Sequence, residues 1–347
     1  DIDLIVSKPD DPDAIAAQVP LSTDEASVLV PDDLAYEYRY VQGQHLTLRA
    51  VLDGVDVRRS YSIVAPVSAN TLRVAVKRID GGVFSTYVDE QLAAGDILDV
   101  MSPTGRFHTA LDPRSARTYV AVAAGSGITP VMSILATTLE VEPESRFTLV
   151  YGNRTAESTM LRDEIDALAA AAEDRLTVHH VLSRTPDAEL AGRITPKLVS
   201  GLVADPAAVD AWFLCGPTAL VDELKGELST RVDPARIHTE VFHTEAARAD
   251  LGIDVESQVT VALDGVESTF LLRSSGDTIL DAAMQQGIDP PYSCAGGACG
   301  TCRAKVLLGR AVMDQNHALD EDEVAGGYVL TCQAHPVTEE LRLDYDA

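Results

Sequence analysis

The chain has 347 residues, 46 % of them hydrophobic, and a formal net charge of −27. That length predicts two or three domains of about 100–200 residues each. The acidic excess argues against nucleic acid and anionic membranes as partners, and no run of about 18 apolar residues offers a transmembrane helix. The opening Asp1-Ile2-Asp3-Leu4 lacks the basic and apolar regions of a signal peptide, so a cytoplasmic protein is expected, with thiols that stay reduced. The acidity serves either solubility or docking to a basic partner, and charge alone does not choose between them.

The first hundred residues read as short strands, Ala26 to Val30, Tyr36 to Tyr40 and His45 to Val51, with turns at Pro31-Asp32-Asp33 and Asp53-Gly54. Close spacing of short strands predicts a small antiparallel barrel over 1–112, with Gln42-Gly43-Gln44 bending the chain at a corner. Arg58-Arg59-Ser60-Tyr61-Ser62-Ile63 is the first stretch with chemistry in it. An arginine can pair a phosphate bidentately and a tyrosine offers an aromatic face, although such a run is commonly just a strand. Leu72 to Val76 alternates and leads into Gly81-Gly82-Val83-Phe84-Ser85 before a helical pattern. This is either an anion site at a helix start or an ordinary capped turn.

Arg59-Ser60-Tyr61-Ser62 resembles the R-x-Y-S flavin motif of the ferredoxin–NADP+ reductase superfamily. The resemblance implies that Arg59 and Tyr61 bind the flavin and that Ser62 lies near its N5. It also implies that Gly81, Gly82, Val83 and Ser85 hold a diphosphate, and it favours FAD over FMN. Gly95-Asp96 and Ser102 to Phe107 resemble the strand and turn that end the family's barrel.

Beyond about residue 115 strands alternate with helices, predicting a parallel-sheet domain over 113–243. Tyr119 to Ala124 is a buried strand that runs into Gly125-Ser126-Gly127-Ile128-Thr129-Pro130 and a helix from Val131 to about Leu139. The glycines let a pyrophosphate approach a helix start, and proline is tolerated there. Phe147 to Tyr151 and Leu176 to Leu182 are further strands, ending in Gly152-Asn153-Arg154 and Ser183-Arg184, with a helix from Glu157 to Ala171 between them. His179 and His180 lie in a strand and read as packing or surface residues. Trp212 to Cys215 is the last buried strand, followed by Gly216-Pro217. A lone buried cysteine is commonly inert packing. By the resemblance, Gly125, Gly127 and Thr129 receive a nicotinamide dinucleotide, and Ser183 and Arg184, with Arg154 in support, grip a 2′-phosphate. NADPH is thus favoured, with NADH the other candidate. The resemblance also places Cys215 beside the nicotinamide and Phe242 over the flavin.

Residues 244–256 read as a polar linker. The last part, 257–347, carries strands at Val259 to Leu263 and Ser268 to Leu272, a helix capped by Asp277, and strands at Arg303 to Leu307 and Leu341 to Asp344. Between them lie Cys294, Cys299 and Cys302, with Cys332 further on: C-x4-C-x2-C and a distant fourth cysteine, the plant-type pattern for a [2Fe–2S] cluster. Structural zinc usually shows two short paired spacings, and only one is present; disulfide frameworks belong to small secreted chains. The order of elements resembles the β-grasp of plant-type ferredoxins. His317 and His335 read as surface residues, and Asp320-Glu321-Asp322-Glu323 as a solvated turn.

Flavin barrel, nucleotide sheet and ferredoxin domain, in that order, resemble the reductase components of multicomponent oxygenases. Reductases of di-iron aromatic-ring epoxidases are the first match and those of Rieske-type steroid hydroxylases the second. Arg58 to Ile63, Ala123 to Ile134, Leu149 to Thr155, Met313 to His317 and Val329 to Gln333 carry the likeness. It implies electron flow from NADPH through FAD and [2Fe–2S] to an oxygenase partner, with Ser62 and Cys215 at the hydride step. A non-catalytic electron-transfer module or redox sensor is the reading of another class.

Overall fold

The computed structural model describes every residue except 1–2, 8–22, 30–34, 70, 93–95, 243–251 and 253. The chain divides into two compact units, Asp1–Val241 and Phe242–Ala347. The turn expected at Pro31-Asp32-Asp33 and most of the expected linker lie outside the described residues.

The first unit opens with β1 (Asp3–Ser7), β2 (Thr23–Leu29), β3 (His45–Leu52), β4 (Val55–Ser62), β5 (Leu72–Lys77) and β6 (Asp96–Val100), antiparallel in the order β4-β3-β6-β1-β2-β5. An Ile63↔Val74 bridge and a bond from Val64 N to Arg73 O (2.8 Å) join the two outer strands, so the sheet closes on itself. Alternation turns Leu46, Leu48, Val74 and Val76 inward, and helix α1 (Val83–Glu90) adds Phe84 and Val88 to the same core. Gly43 has φ +83°, and a Cβ there would stand 2.1 Å from the carbonyl oxygen of Phe107, so the corner requires glycine. The strand expected over Tyr36 to Tyr40 is absent: residues 35–38 form a turn. The tyrosines act through their hydroxyls instead. Tyr38 donates to Val100 O (2.5 Å) and Tyr40 to Pro66 O (2.8 Å), while Tyr36 is 75 % exposed.

The same unit continues with β7 (Thr118–Ala124), α2 (Ile128–Val141), β8 (Arg146–Asn153), α3 (Arg162–Ala172), β9 (Leu176–Leu182), β10 (Leu190–Ala191), α4 (Pro196–Leu202), β11 (Ala211–Cys215), α5 (Thr218–Leu228) and β12 (Ile237–Glu240). All six strands are parallel, in the order β10-β9-β8-β7-β11-β12. The chain therefore winds one way from β7 and the other way from β11, and the crevice at the carboxyl ends of those two strands is where such sheets bind ligands. Helix α2 starts three residues before the expected Val131, which leaves Pro130 in its first turn, where a missing N–H costs nothing. Helix α3 starts at Arg162, not Glu157. Ser158 and Thr159 return their hydroxyls to Thr155 O (2.9 and 3.1 Å), a local turn that competes with helix, and Leu161 takes φ +54°.

Barrel and sheet share one core. Val64, Ala75 and Phe107 of the barrel pack in the same buried cluster as Ile128, Phe213 and Cys215. Polar ties cross at α2: Ser133 donates to Ala65 O (2.7 Å) and Val67 N to Thr137 Oγ1 (3.1 Å). The carboxylate of Glu142, fully buried at the end of that helix, accepts from Asp112 N (3.0 Å), Tyr119 Oη (2.9 Å) and Ser145 Oγ (2.7 Å).

The second unit holds β13 (Glu256–Leu263), β14 (Val266–Arg273), α6 (Ile279–Gln285), β15 (Arg303–Leu308), β16 (Ala311–Met313), α7 (Glu321–Ala325), β17 (Tyr328–Leu330), β18 (Ala334–Pro336) and β19 (Glu340–Asp344). Its sheet runs β14-β13-β19-β15-β17, with β13 and β19 parallel, a β-grasp; β16 and β18 pair separately. Three expectations change here. Thr278, not Asp277, caps α6, accepting from Asp281 N (3.2 Å). The acidic run at 320–323 is a capping box, in which Asp320 and Glu323 exchange side-chain and backbone bonds. His335 is 2 % exposed and pairs with Asp314 (3.1 Å) in the interior.

Candidate functional site

On β4 the period of two separates two adjacent arginines. Arg58 is buried and pairs with Asp56 (3.1 Å), whose carboxyl is held below its ordinary value by hydrogen bonds from Arg58 and Arg49 against the opposing effect of burial. Arg59 lies exposed on the other face, tied by a bond to Arg58 O (2.7 Å), and is available to an anion. Tyr61 packs beside Phe84 with ring centroids 5.8 Å apart, and burial pushes its hydroxyl up to about 12. Ser62 is buried at the strand's end. In the turn before α1, Gly81 takes φ +75° with open space around it. Gly82 stands at the N-cap without any side-chain cap, so the first N–H groups of the helix keep their hydrogens unclaimed by a capping side chain. Val83 is exposed beside them. Ser85 is turned into the loop: its hydroxyl accepts from Ile79 N (3.2 Å) and donates to Gly82 O (3.3 Å). A polar cradle, an aromatic wall and an exposed arginine fit a flavin with a diphosphate tail.

At the switch point, Gly127 meets the turn after β11. A Cβ at 127 would stand 2.3 Å from Cys215 O and 3.0 Å from Gly216 N, so backbone packs on backbone with no room for a side chain. Gly125 has φ +55°, and Lys77 Nζ lies 3.7 Å from where its Cβ would be. Burial and the neighbouring Arg154 hold the Lys77 amine below its ordinary value. A cation beside a helix start suits a pyrophosphate. Lys77 heads the stretch that leads into the Gly81-Gly82 turn, but its approach to Gly125 leaves no mark along the chain, because it depends on the barrel–sheet contact. Thr129 is buried and donates to Ser126 O (3.0 Å), which makes it a brace of the loop. Arg154 and Arg184 are both exposed at the ends of β8 and β9, tied by a bond from Arg184 N to Arg154 O (2.8 Å), and Ser183 lies between those strands with its hydroxyl on Asn153 O (3.2 Å). Cys215 is buried, and burial, then the carboxylate of Glu240, push its thiol well up. Glu240 faces it in register on β12 and was likewise invisible to motif reading. Phe242, two residues past β12, is 42 % exposed.

The four distal cysteines form two pairs. The thiols of Cys294 and Cys299 share a hydrogen bond, as do those of Cys302 and Cys332. In each pair the partner's hydrogen bond holds one thiol, Cys299 or Cys332, below its ordinary value, and the other is raised. Among the described residues no three His, Cys, Asp or Glu side chains surround a single ion position. Two thiol pairs suit two irons with two thiolates each. Ala295, Gly297 and Gly300 take φ +49°, +74° and +76°, which turns amides toward sulfur: Gly296 N and Cys299 N each reach Cys294 Sγ at 3.4 Å.

Three family models cover the chain in succession: the oxidoreductase FAD-binding domain over 21–109, the oxidoreductase NAD-binding domain over 121–225 and the 2Fe-2S iron-sulfur cluster binding domain over 261–337. Together with the sites above, they define a flavin-dependent oxidoreductase that carries its own iron–sulfur centre. The chain is 43 % identical to one of the subunits of the 1,2-phenylacetyl-CoA epoxidase of Escherichia coli (strain K12), over 92 % of each chain. It is 35 % identical to the ferredoxin reductase component of the 3-ketosteroid-9-alpha-monooxygenase of Rhodococcus rhodochrous, over 95 % of each. It belongs to the family of FAD, nicotinamide and [2Fe–2S] reductases that these two proteins represent. Among solved structures, phthalate dioxygenase reductase shares the fold at a TM-score of 0.59 and 24 % identity, over 98 % of each chain. An intact type IV self-sufficient cytochrome P450 monooxygenase gives 0.72 at 24 % identity, and the chain spans 40 % of its length.

Proposed function

We propose that this chain takes electron pairs from NADPH and hands single electrons to the oxygenase of a phenylacetyl-CoA epoxidase, a di-iron enzyme of phenylacetate breakdown. The observation that carries this reading is the 43 % identity to a component of that epoxidase over 92 % of both chains. A Rieske-type partner such as a ketosteroid hydroxylase is the second reading, supported by the 35 % identity to its reductase component. FAD, once bound, would supply a hydride acceptor, and a [2Fe–2S] cluster a one-electron carrier.

The chain's own residues bind and orient. In this reading the barrel spans 1–112, the nucleotide domain 113–243 and the ferredoxin domain 257–347, joined by 244–256. Arg59 and the turn Gly81, Gly82, Val83 and Ser85 hold the flavin phosphates, Tyr61 lies against its ring, and Ser62 faces its reactive edge. Gly125, Gly127 and Thr129 shape the seat for the dinucleotide, and Lys77 balances its pyrophosphate. Ser183 and Arg184, with Arg154 in support, grip the 2′-phosphate. Cys215 keeps its proton and positions the nicotinamide, since a thiol raised by burial is a poor nucleophile. Cys294, Cys299, Cys302 and Cys332 hold the cluster.

Holoprotein loaded with flavin and cluster should reduce ferricyanide and cytochrome c with NADPH in preference to NADH, and failure with both would overturn the enzyme reading. Arg184→Ala should cut the NADPH-over-NADH ratio about tenfold, equal to about 1.4 kcal/mol; an unchanged ratio removes Arg184 from the 2′-phosphate. Turnover with purified phenylacetyl-CoA epoxidase oxygenase against purified ketosteroid oxygenase separates the two partner readings.

A further inference from the structure

Two glutamines converge on the cysteine loop, and the function above uses neither. Gln333 follows Cys332 directly and is 7 % exposed. Its Nε2 donates to Ala295 O (3.0 Å) and Cys332 O (2.8 Å), and lies 3.7 Å from Cys332 Sγ. One carboxamide with two hydrogens thus ties the isolated fourth cysteine to the loop that carries the other three. Its Cγ lies 3.0 Å from where a Cβ of Gly297 would stand, so the loop's positive-φ glycine is also the contact that seats the glutamine. Gln315 sits on the short segment after β16. Its Nε2 donates to Gly296 O (3.2 Å), and the same segment sends His317 N to Gly297 O (3.0 Å). That segment is fixed at its base: Asp314 N donates to Gln333 O (2.8 Å), and the buried pair of Asp314 with His335 holds β16 to β18.

The two contacts differ in chemistry. Gln315 donates to the carbonyl of Gly296 and restrains the loop. Gln333 also brings an N–H, shared with one of its two carbonyl partners, within 3.7 Å of the Cys332 sulfur. Reduction adds one electron, drawn from the flavin, and no proton to the site, so negative charge on the sulfurs rises. A donor aimed at sulfur favours that state and raises the potential. We propose that Gln333 is a positioning residue that raises the reduction potential of the iron–sulfur centre, while Gln315 retains the loop.

This inference rests on the [2Fe–2S] reading of the cysteine set. Wild-type holoprotein without a cluster spectrum would sink that reading itself, whereas a normal wild-type spectrum leaves this inference to be judged on its variants. The experiment is a redox titration of holoprotein followed by electron paramagnetic resonance, on wild type, Gln333→Leu, Gln333→Glu and Gln315→Ala. Leu removes the donor, and Glu keeps the shape but replaces the donor with charge. Both should shift the one-electron equilibrium toward the oxidised form by up to about tenfold, equal to about 59 mV, with flavin reduction by NADPH unchanged. Gln315→Ala should lose iron faster to a chelator. An unmoved potential in whichever Gln333 variant retains its cluster overturns the proposal. So does failure of both to hold a cluster, which would leave Gln333 a scaffold residue only.

Discussion

The dinucleotide loop and the cluster loop are both glycine-bearing turns, and they are held by opposite means. The turn at Gly125–Pro130 sits between a buried strand and a buried helix, and its shape follows from packing: Gly127 rests on the backbone of Cys215 and Gly216 inside the cluster that also holds Phe107, Ile128 and Phe213. The loop from Ser293 to Cys302 has no regular secondary structure. Its apolar support is a small group, Leu280, Cys302, Leu319, Leu330 and Cys332, and the rest of its hold is polar, through amides on sulfur and the two glutamines. A loop fixed by packing has its geometry before any ligand arrives. A loop held by thiols and amides draws part of its folding energy from what the thiols bind.

The sharpest break between the two comes from Cys332→Ser. It should abolish the cluster's visible absorbance and electron delivery to the acceptor, while flavin reduction by NADPH, followed in a stopped-flow instrument, stays at the wild-type rate. Next in size is Glu142→Ala in the frame behind the dinucleotide loop. Removing the carboxylate takes an acceptor from Asp112 N, Tyr119 Oη and Ser145 Oγ and the opposite charge from Arg117 (3.5 Å), and should lower the denaturant-measured stability of the first unit by about 3–5 kcal/mol, with the cluster spectrum intact. Gly127→Ala pushes a methyl into Cys215 O and should cost about 1–3 kcal/mol. It should also weaken NADPH binding, measured by titration, with no change in cluster potential. The smallest effect is on pH. His108 and His238 are held below the ordinary value of 6.5 by burial, His238 also by His108. Below that pH the unfolded chain binds protons that the folded one refuses, so stability of the first unit should fall as pH drops from 6.5 and level off beneath the folded values. Thermal melts across about pH 7 to 5 check this, and His238→Gln should flatten the slope.

Much of both loops was legible in the residues themselves. The spacing of Cys294, Cys299 and Cys302 points to one chemistry, because few ligands need three thiolates on one short loop. Arg59-Ser60-Tyr61-Ser62 and Gly125 to Pro130 stood out because local motifs are read along the chain. The strand ending at Cys215 followed from composition, since a buried parallel strand is apolar throughout. The misreadings share a cause. The tyrosines at 36–40 look like a strand by alternation, yet two of them are anchored by hydroxyls to residues 26 and 62 positions away. His335 looks like a surface residue until β16 brings Asp314 beside it.

What the sequence determined alone is the chemistry that each stretch can offer: thiolates at a cluster spacing, glycines before a helix, an arginine and a tyrosine on one strand. Those depend on residue type and short spacing, which the chain carries without folding. Only the tertiary structure decided which of the paired arginines faces outward, that Lys77 reaches Gly125, that Glu240 stands against Cys215, and that Gln333 clasps the cluster loop. Each of these joins residues distant in the chain or depends on which way a side chain turns, and burial and register, rather than spacing, set both.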